Sequence, residues 1–125
     1  MGVRFDPRWQ YNGLRALVLE NPTLRLVVLP ETGGRIYSIV HKPTDTEILW
    51  HHPRNLPRVI PYGSNFDDTW PGGWDEILPS TEISEYRGDR LPSMGELWAL
   101  PWDWQDADAD GLYMRAHTAI LPLRF

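Results

Sequence analysis

LRLVVLPETGGRIYSIV, residues 24–40, holds two short apolar runs on either side of a glycine turn. Leu24 to Leu29 (LRLVVL) stops at Pro30, and Arg35 to Val40 (RIYSIV) begins directly after Gly33–Gly34. Aliphatic and β-branched runs bounded by turn residues are typical of strands, and glycine supplies the positive φ that a tight turn requires. The stretch therefore predicts two antiparallel strands.

Short apolar runs bounded by turn residues also lie on both sides of this pair. Leu14 to Leu19 (LRALVL) stops at Asn21–Pro22, and Glu47 to Trp50 begins a fourth run after the turn KPTDT. No stretch has an apolar period long enough for a helix. The chain is predicted to be all-β, an antiparallel meander, with an irregular, proline-interrupted connection from His51 to Gly73. The segments LYMRAHT and AILPLRF, residues 112–125, are expected to add strands.

Size and composition restrict the class of protein. The 125 residues predict one domain, and the formal net charge of −5 argues against nucleic acid as a partner. Cysteine is absent, which excludes disulfides and thiolate chemistry. No apolar run is long enough to span a membrane, and the N-terminus lacks a signal-peptide pattern. We therefore expect a cytoplasmic protein with no membrane partner.

Tryptophan and acidic residues concentrate in WPGGWDEILP (residues 70–79) and LPSMGELWALPWDW (residues 91–104), which contain five of the seven tryptophans. Indole faces stack on sugar rings and carboxylates accept hydrogen bonds from hydroxyls, so these stretches indicate a sugar pocket. The alternative is that the tryptophans fill a β core. Asp75 and Glu76 are neighbours, so at most one should face a given ligand. Trp98, Trp102 and Trp104 share parity and would lie on one face of an extended segment.

Other candidate chemistry is weaker. DADADG, residues 106–111, resembles half of a calcium loop, but His117 stands where the bidentate glutamate belongs and no helix flanks it, so a hairpin turn is favoured. His51 and His52 are adjacent and point to opposite faces of an extended chain, which does not favour a shared metal. We predict neither a metal nor a cofactor.

Three segments together resemble the aldose 1-epimerase (galactose mutarotase-like) family. They are the strand pair with its glycine turn at residues 24–40, GGWDEILP at residues 72–79, and PSMGELWALPW at residues 92–102. The closing LPLRF is similar to the family's mid-domain strand. The resemblance implies an antiparallel β-sandwich of which residues 1–125 are the N-terminal portion of a single domain.

The resemblance also implies a function. Members of the family interconvert the anomers of free aldoses, with a histidine acid and a glutamate base on opposite sides of the ring. Here Met94 stands at the family's histidine position and cannot carry a proton, and the glutamate belongs to a C-terminal part that is not in this chain. The catalytic residues are therefore unassigned, and if the protein is an enzyme we expect an isomerase of this type.

The expected ligand is a small-molecule sugar. Its predicted binding residues are Arg35, Trp70, Trp74, Asp75, Glu76 and Glu96. Two alternatives stay open: a non-catalytic sugar-binding module, and a structural β fragment that self-associates through an open sheet edge.

Overall fold

The computed structural model describes residues 2–107 and 111–125, and its strands are all antiparallel. Five of them form one sheet in chain order: Arg4–Tyr11 (β1), Leu14–Glu20 (β2), Leu24–Leu29 (β3), Arg35–His41 (β4) and Thr46–Glu47 (β5). Two hairpins follow, made of Ser84–Tyr86 (β6) with Asp89–Leu91 (β7), and Asp103–Ala107 (β8) with Gly111–Arg115 (β9). The predicted all-β fold is confirmed.

Helical structure is confined to short pieces. The connection from His51 to Gly73 holds one four-residue helix, Phe66–Thr69 (α1), and is otherwise irregular, as predicted. Single 3₁₀ turns lie at Lys42–Thr44 and Leu97–Ala99. Within residues 2–107 and 111–125, no helix has both the length and the apolar character needed to cross a membrane.

The first strand, β1, was not predicted from the sequence, and neither was the β6–β7 hairpin. β1 contains Pro7, and the pairing of β1 with β2 shifts register between Asp6 and Trp9, so the proline lies within a bulge. Proline lacks a backbone donor and is tolerated at edge strands and bulges. Arg8 follows it, and both its backbone N–H and its guanidinium donate to the carboxylate of Asp6.

The glycine turn between β3 and β4 is the contact point between the sheet and the second tryptophan stretch. Gly33 has φ +78°, and its N–H donates to Leu100 O at 2.8 Å. A Cβ on Gly33 would collide with the carbonyl of Trp98, and one on Gly34 (φ +55°) would collide with the Trp102 ring. The two glycines therefore allow a backbone approach that no other residue permits.

The five-stranded sheet has two faces, because side chains alternate along each strand. The face that carries Leu17, Leu19 and Leu26 (the hairpin face) packs against the β8–β9 hairpin, where the rings of Phe5 and Trp104 meet edge to face at 5.9 Å. The other face (the cleft face) carries the core cluster of Leu14, Ala16, Leu29 and Tyr37, with Val18 and Val27 beside it.

Two strand predictions near the end of the chain are wrong. Trp98 lies in a 3₁₀ turn rather than an extended segment, and regular pairing starts only at Asp103, so Trp98, Trp102 and Trp104 share no strand face. Residues 119–125 turn back instead of running on as a strand, with reciprocal backbone hydrogen bonds between Ala116 and Phe125. The calcium-like loop and its predicted hairpin turn include residues 108–110, which lie outside the described residues.

Candidate functional site

Trp74, Asp75 and Glu76 lie in an extended segment that is attached to β4. The Trp74 N–H donates to Ile36 O at 2.8 Å, and the Ile36 N–H donates to Trp74 O at 3.3 Å. Side chains in such a segment alternate. The Asp75 side chain is only 6% exposed, whereas Trp74 is 53% exposed and Glu76 lines the same groove as Trp74. Only one of the two neighbouring carboxylates thus faces the groove, which agrees with the prediction.

The groove lies between the hairpin face of the sheet and strand β9 and has a volume of about 270 Å³. Its lining is mostly apolar, and it includes the exposed Trp74 and one acidic residue, Glu76. The remaining lining residues come from the sheet, from the second tryptophan stretch and from β9: Leu19, Leu26, Val28, Gly34, Ile36, Trp102, Leu112 and Met114. This volume is slightly below the usual range of small-ligand pockets, so the ligand would be no larger than a single sugar ring.

Arg35 and Asp75 form a buried ion pair behind the groove. The Arg35 side chain is fully buried, and its Nε and Nη2 lie 2.9 Å and 2.5 Å from Asp75 Oδ1. The Trp70 indole N–H donates to the other oxygen, Asp75 Oδ2. Arg35 also donates to Thr32 Oγ1 at 3.3 Å and to Trp98 O at 3.4 Å. Since both carboxylate oxygens and the guanidinium are engaged, Arg35 and Asp75 hold the wall of the groove rather than face a ligand.

Trp70 belongs to an aromatic stack rather than to the groove. Its ring lies nearly parallel to Trp50, with centroids 5.3 Å apart, and nearly parallel to Phe66 at 5.2 Å. Phe66 in turn meets the buried Trp98 edge to face at 5.0 Å. Trp70 does not line the groove. Of the two predicted stacking residues, the structure therefore leaves Trp74 as the one available to a sugar there.

Glu96 is buried in the core, away from the groove. Its Oε1 accepts hydrogen bonds from the N–H groups of Ala119 at 2.9 Å and Ile120 at 2.7 Å, and its Oε2 accepts from Leu121 N–H at 3.2 Å. The Tyr62 hydroxyl donates to Oε1 at 2.8 Å, and burial together with this hydrogen bond raises the pKa of Tyr62. Glu96 thus fixes the turn at residues 119–121, and the prediction that it lines the sugar pocket with Trp74 does not fit this geometry.

Met94, which the resemblance would align with the histidine of the aldose 1-epimerase family, lies in a different place from Trp74. It has φ +66° and packs against the cluster of Ile60, Trp98 and Ala99. It lines a separate cavity of about 260 Å³ together with Phe66. The groove beside Trp74 therefore takes no catalytic group from this position.

The adjacent histidines have separate structural partners. His51 stacks on Tyr37 with ring centroids 4.1 Å apart, and its Nε2 lies 2.7 Å from Tyr37 O. His52 Nδ1 accepts the N–H groups of Arg54 and Asn55. In the part of the chain that the structure describes, no three His, Cys, Asp or Glu side chains are placed to hold a metal ion.

A cleft on the other face of the sheet could not be predicted from the sequence, because β1 was not predicted. It lies on the cleft face, has a volume of about 410 Å³ and is flanked by Trp9 and Tyr11. The alternation of aromatic and polar residues in RFDPRWQY could have predicted a strand, but Pro7 argued against one.

In comparisons with known proteins, no family model matches this chain, and no curated protein matches it in sequence.

Proposed function

We propose that this chain is a carbohydrate-binding, aldose 1-epimerase-like protein, the N-terminal portion of a galactose mutarotase-like β-sandwich domain. A free aldose would lie in the groove with its apolar C–H face on Trp74. The observation that carries this proposal is a largely apolar groove whose lining includes the half-exposed Trp74 and the acidic Glu76.

The surroundings of Trp74 favour binding because they hold it in place. Its backbone is bridged to β4, and the next residue, Asp75, is fixed by Arg35 and by the Trp70 indole. A site that is ordered before the ligand arrives loses less conformational entropy on binding. Glu76 offers acceptors for sugar hydroxyls, and an aromatic face with a few polar groups is typical of small-ligand sites.

Binding without turnover fits the groove better than catalysis does. General acid–base chemistry at a sugar ring needs two titratable groups on opposite sides. Among the described residues that line the groove, Glu76 is the one titratable side chain. A non-catalytic sugar-binding module is therefore the favoured form of this proposal, and an isomerase is the alternative.

Replacing Trp74 with alanine is expected to weaken sugar binding at least about tenfold, because the stacking surface is lost. Calorimetric titration of the 125-residue chain with glucose and with galactose would measure this. Tyr113→Ala is the matched control, since Tyr113 is exposed on β9 and does not line the groove. Unchanged affinity in Trp74→Ala, or no saturable binding by the parent chain, would contradict the proposed site.

Polarimetry separates the module from the enzyme. We expect the chain to leave the mutarotation of α-glucose and α-galactose at the buffer rate, because Glu76 is the one titratable side chain among the described residues that line the groove. A rate well above buffer that falls in Glu76→Gln would instead identify an isomerase with Glu76 as one of its groups.

The structural alternative is a β fragment that pairs with a second copy. β1 forms one edge of the five-stranded sheet, and sheet edges recruit other strands. This alternative predicts a dimer in light scattering and no saturable sugar binding.

A further inference from the structure

The cleft on the cleft face of the sheet combines aromatic walls with polar side chains. Trp9 is 59% exposed and Tyr11 40%, and the Tyr11 ring rests against buried Tyr37 with centroids 5.3 Å apart. The floor is apolar and consists of Ala16, Val18 and Val27. Four polar residues complete the lining: Arg4, Gln10, Glu20 and Arg25. The cleft lies on the opposite face of the sheet from the Trp74 groove.

The charges around this cleft do not cancel. Glu20 is the acidic residue of the lining, and its two oxygens are held by Arg4 Nη2 and, at 3.0 Å, by Lys42 Nζ. The hydrogen bond from Lys42 has the largest effect on the pKa of Glu20, and both hydrogen bonds lower that pKa. Arg25 stands opposite Glu20 in the register of β2 and β3 but forms no ion pair or side-chain hydrogen bond with any described residue. Among the described residues, the Arg25 guanidinium thus has no ion-pair partner, in a chain of net charge −5.

We propose that this cleft binds a hexuronate, a sugar ring that carries one carboxylate. The apolar face of the ring would stack on Trp9, and the carboxylate would pair with Arg25. A planar guanidinium matches a planar carboxylate with two parallel hydrogen bonds.

Size and charge distinguish this ligand from other occupants. The volume of about 410 Å³ lies within the range of small-ligand pockets. Among the described residues that line the cleft, Arg25 is the cation without an ion-pair partner and matches one anionic group, whereas a nucleic acid needs a dense basic surface. A second copy of this acidic chain would have to bring a complementary carboxylate to Arg25, while a hexuronate carries its own.

Calorimetric titration of the 125-residue chain with glucuronate tests the proposal, with glucose as the neutral reference. At low ionic strength we expect glucuronate to bind this cleft at least about tenfold more tightly than glucose, because a charge-assisted pair replaces a neutral contact. Trp9→Ala and Arg25→Gln should each weaken glucuronate binding about tenfold, and Arg25→Lys should lose less than Arg25→Gln because it keeps the charge.

Matched controls separate this site from the groove. Arg58→Gln removes an exposed arginine that lines neither cavity, and Trp74→Ala alters only the groove, so both should bind glucuronate as the parent does. If the groove beside Trp74 bound no sugar, the expected glucuronate results for this cleft would stay the same. Circular dichroism checks that each variant is folded.

Three results would overturn the proposal. The first is the absence of saturable glucuronate binding, or binding that neither Trp9→Ala nor Arg25→Gln weakens. The second is acetate binding with the affinity of glucuronate, since the ring would then contribute nothing. The third is a dimer in light scattering that Trp9→Ala dissociates, since the cleft would then be an interface between two copies.

Discussion

Arg35→Met is expected to lower the free energy of unfolding by about 3–5 kcal/mol, the usual cost of removing one partner from a buried ion pair. The substitution leaves the Asp75 carboxylate buried with only the Trp70 indole as a described hydrogen-bond partner. Methionine fills part of the space, so the loss arises mainly from the uncompensated charge. Urea unfolding followed by tryptophan fluorescence would measure it, with Arg58→Met as the control at an exposed position.

A double variant makes the test sharper. Combining Arg35→Met with Asp75→Asn removes both charges, so it should lose clearly less than the sum of the two single variants. Additive losses, or a loss below about 1 kcal/mol in Arg35→Met, would show that the pair contributes no more than a surface salt bridge does.

Gly33→Ala is expected to cost at least about 3 kcal/mol, because it combines backbone strain with a steric clash. A left-handed φ costs a residue with a Cβ about 1–2 kcal/mol, and here the Cβ would also collide with the Trp98 carbonyl. Gly13→Ala is a matched control, since Gly13 has φ +80° with no atom within 4 Å of the added Cβ. The difference in urea midpoint between Gly33→Ala and Gly13→Ala therefore measures the effect of the clash with the Trp98 carbonyl. Equal losses would mean that the β3–β4 turn can move away from Trp98.

Short-range signals predicted much of the sheet. β2, β3 and β4 coincide with apolar runs that begin or end next to proline, asparagine or glycine, and their observed bounds lie within one residue of the prediction. β1 was missed because Pro7 and the charged residues beside it imitate a loop. The prediction for residues 97–99 was wrong because every second side chain shares a face only where the backbone is extended, and this segment forms a 3₁₀ turn.

The candidate site was predicted in part. The alternation of Trp74, Asp75 and Glu76 follows from the local chain, so a split between a buried and a groove-facing carboxylate could be expected. The partner of Asp75 could not, because Arg35 lies 40 positions away. Glu96 bonds backbone groups 23 to 25 positions further along the chain, which no local pattern reveals. Carboxylates beside tryptophan therefore indicated a polar role without saying which of them were structural.

The bulge in β1 has a consequence for how this protein behaves at high concentration. Pro7 has no N–H, and the N–H of Arg8 is already given to Asp6, so two successive positions on the outermost strand offer no donor to an incoming chain. An uninterrupted edge of this length would be a template for fibrillar aggregation. Here the template is broken near its middle, which favours solubility and limits strand addition along β1 to short segments on either side of the proline.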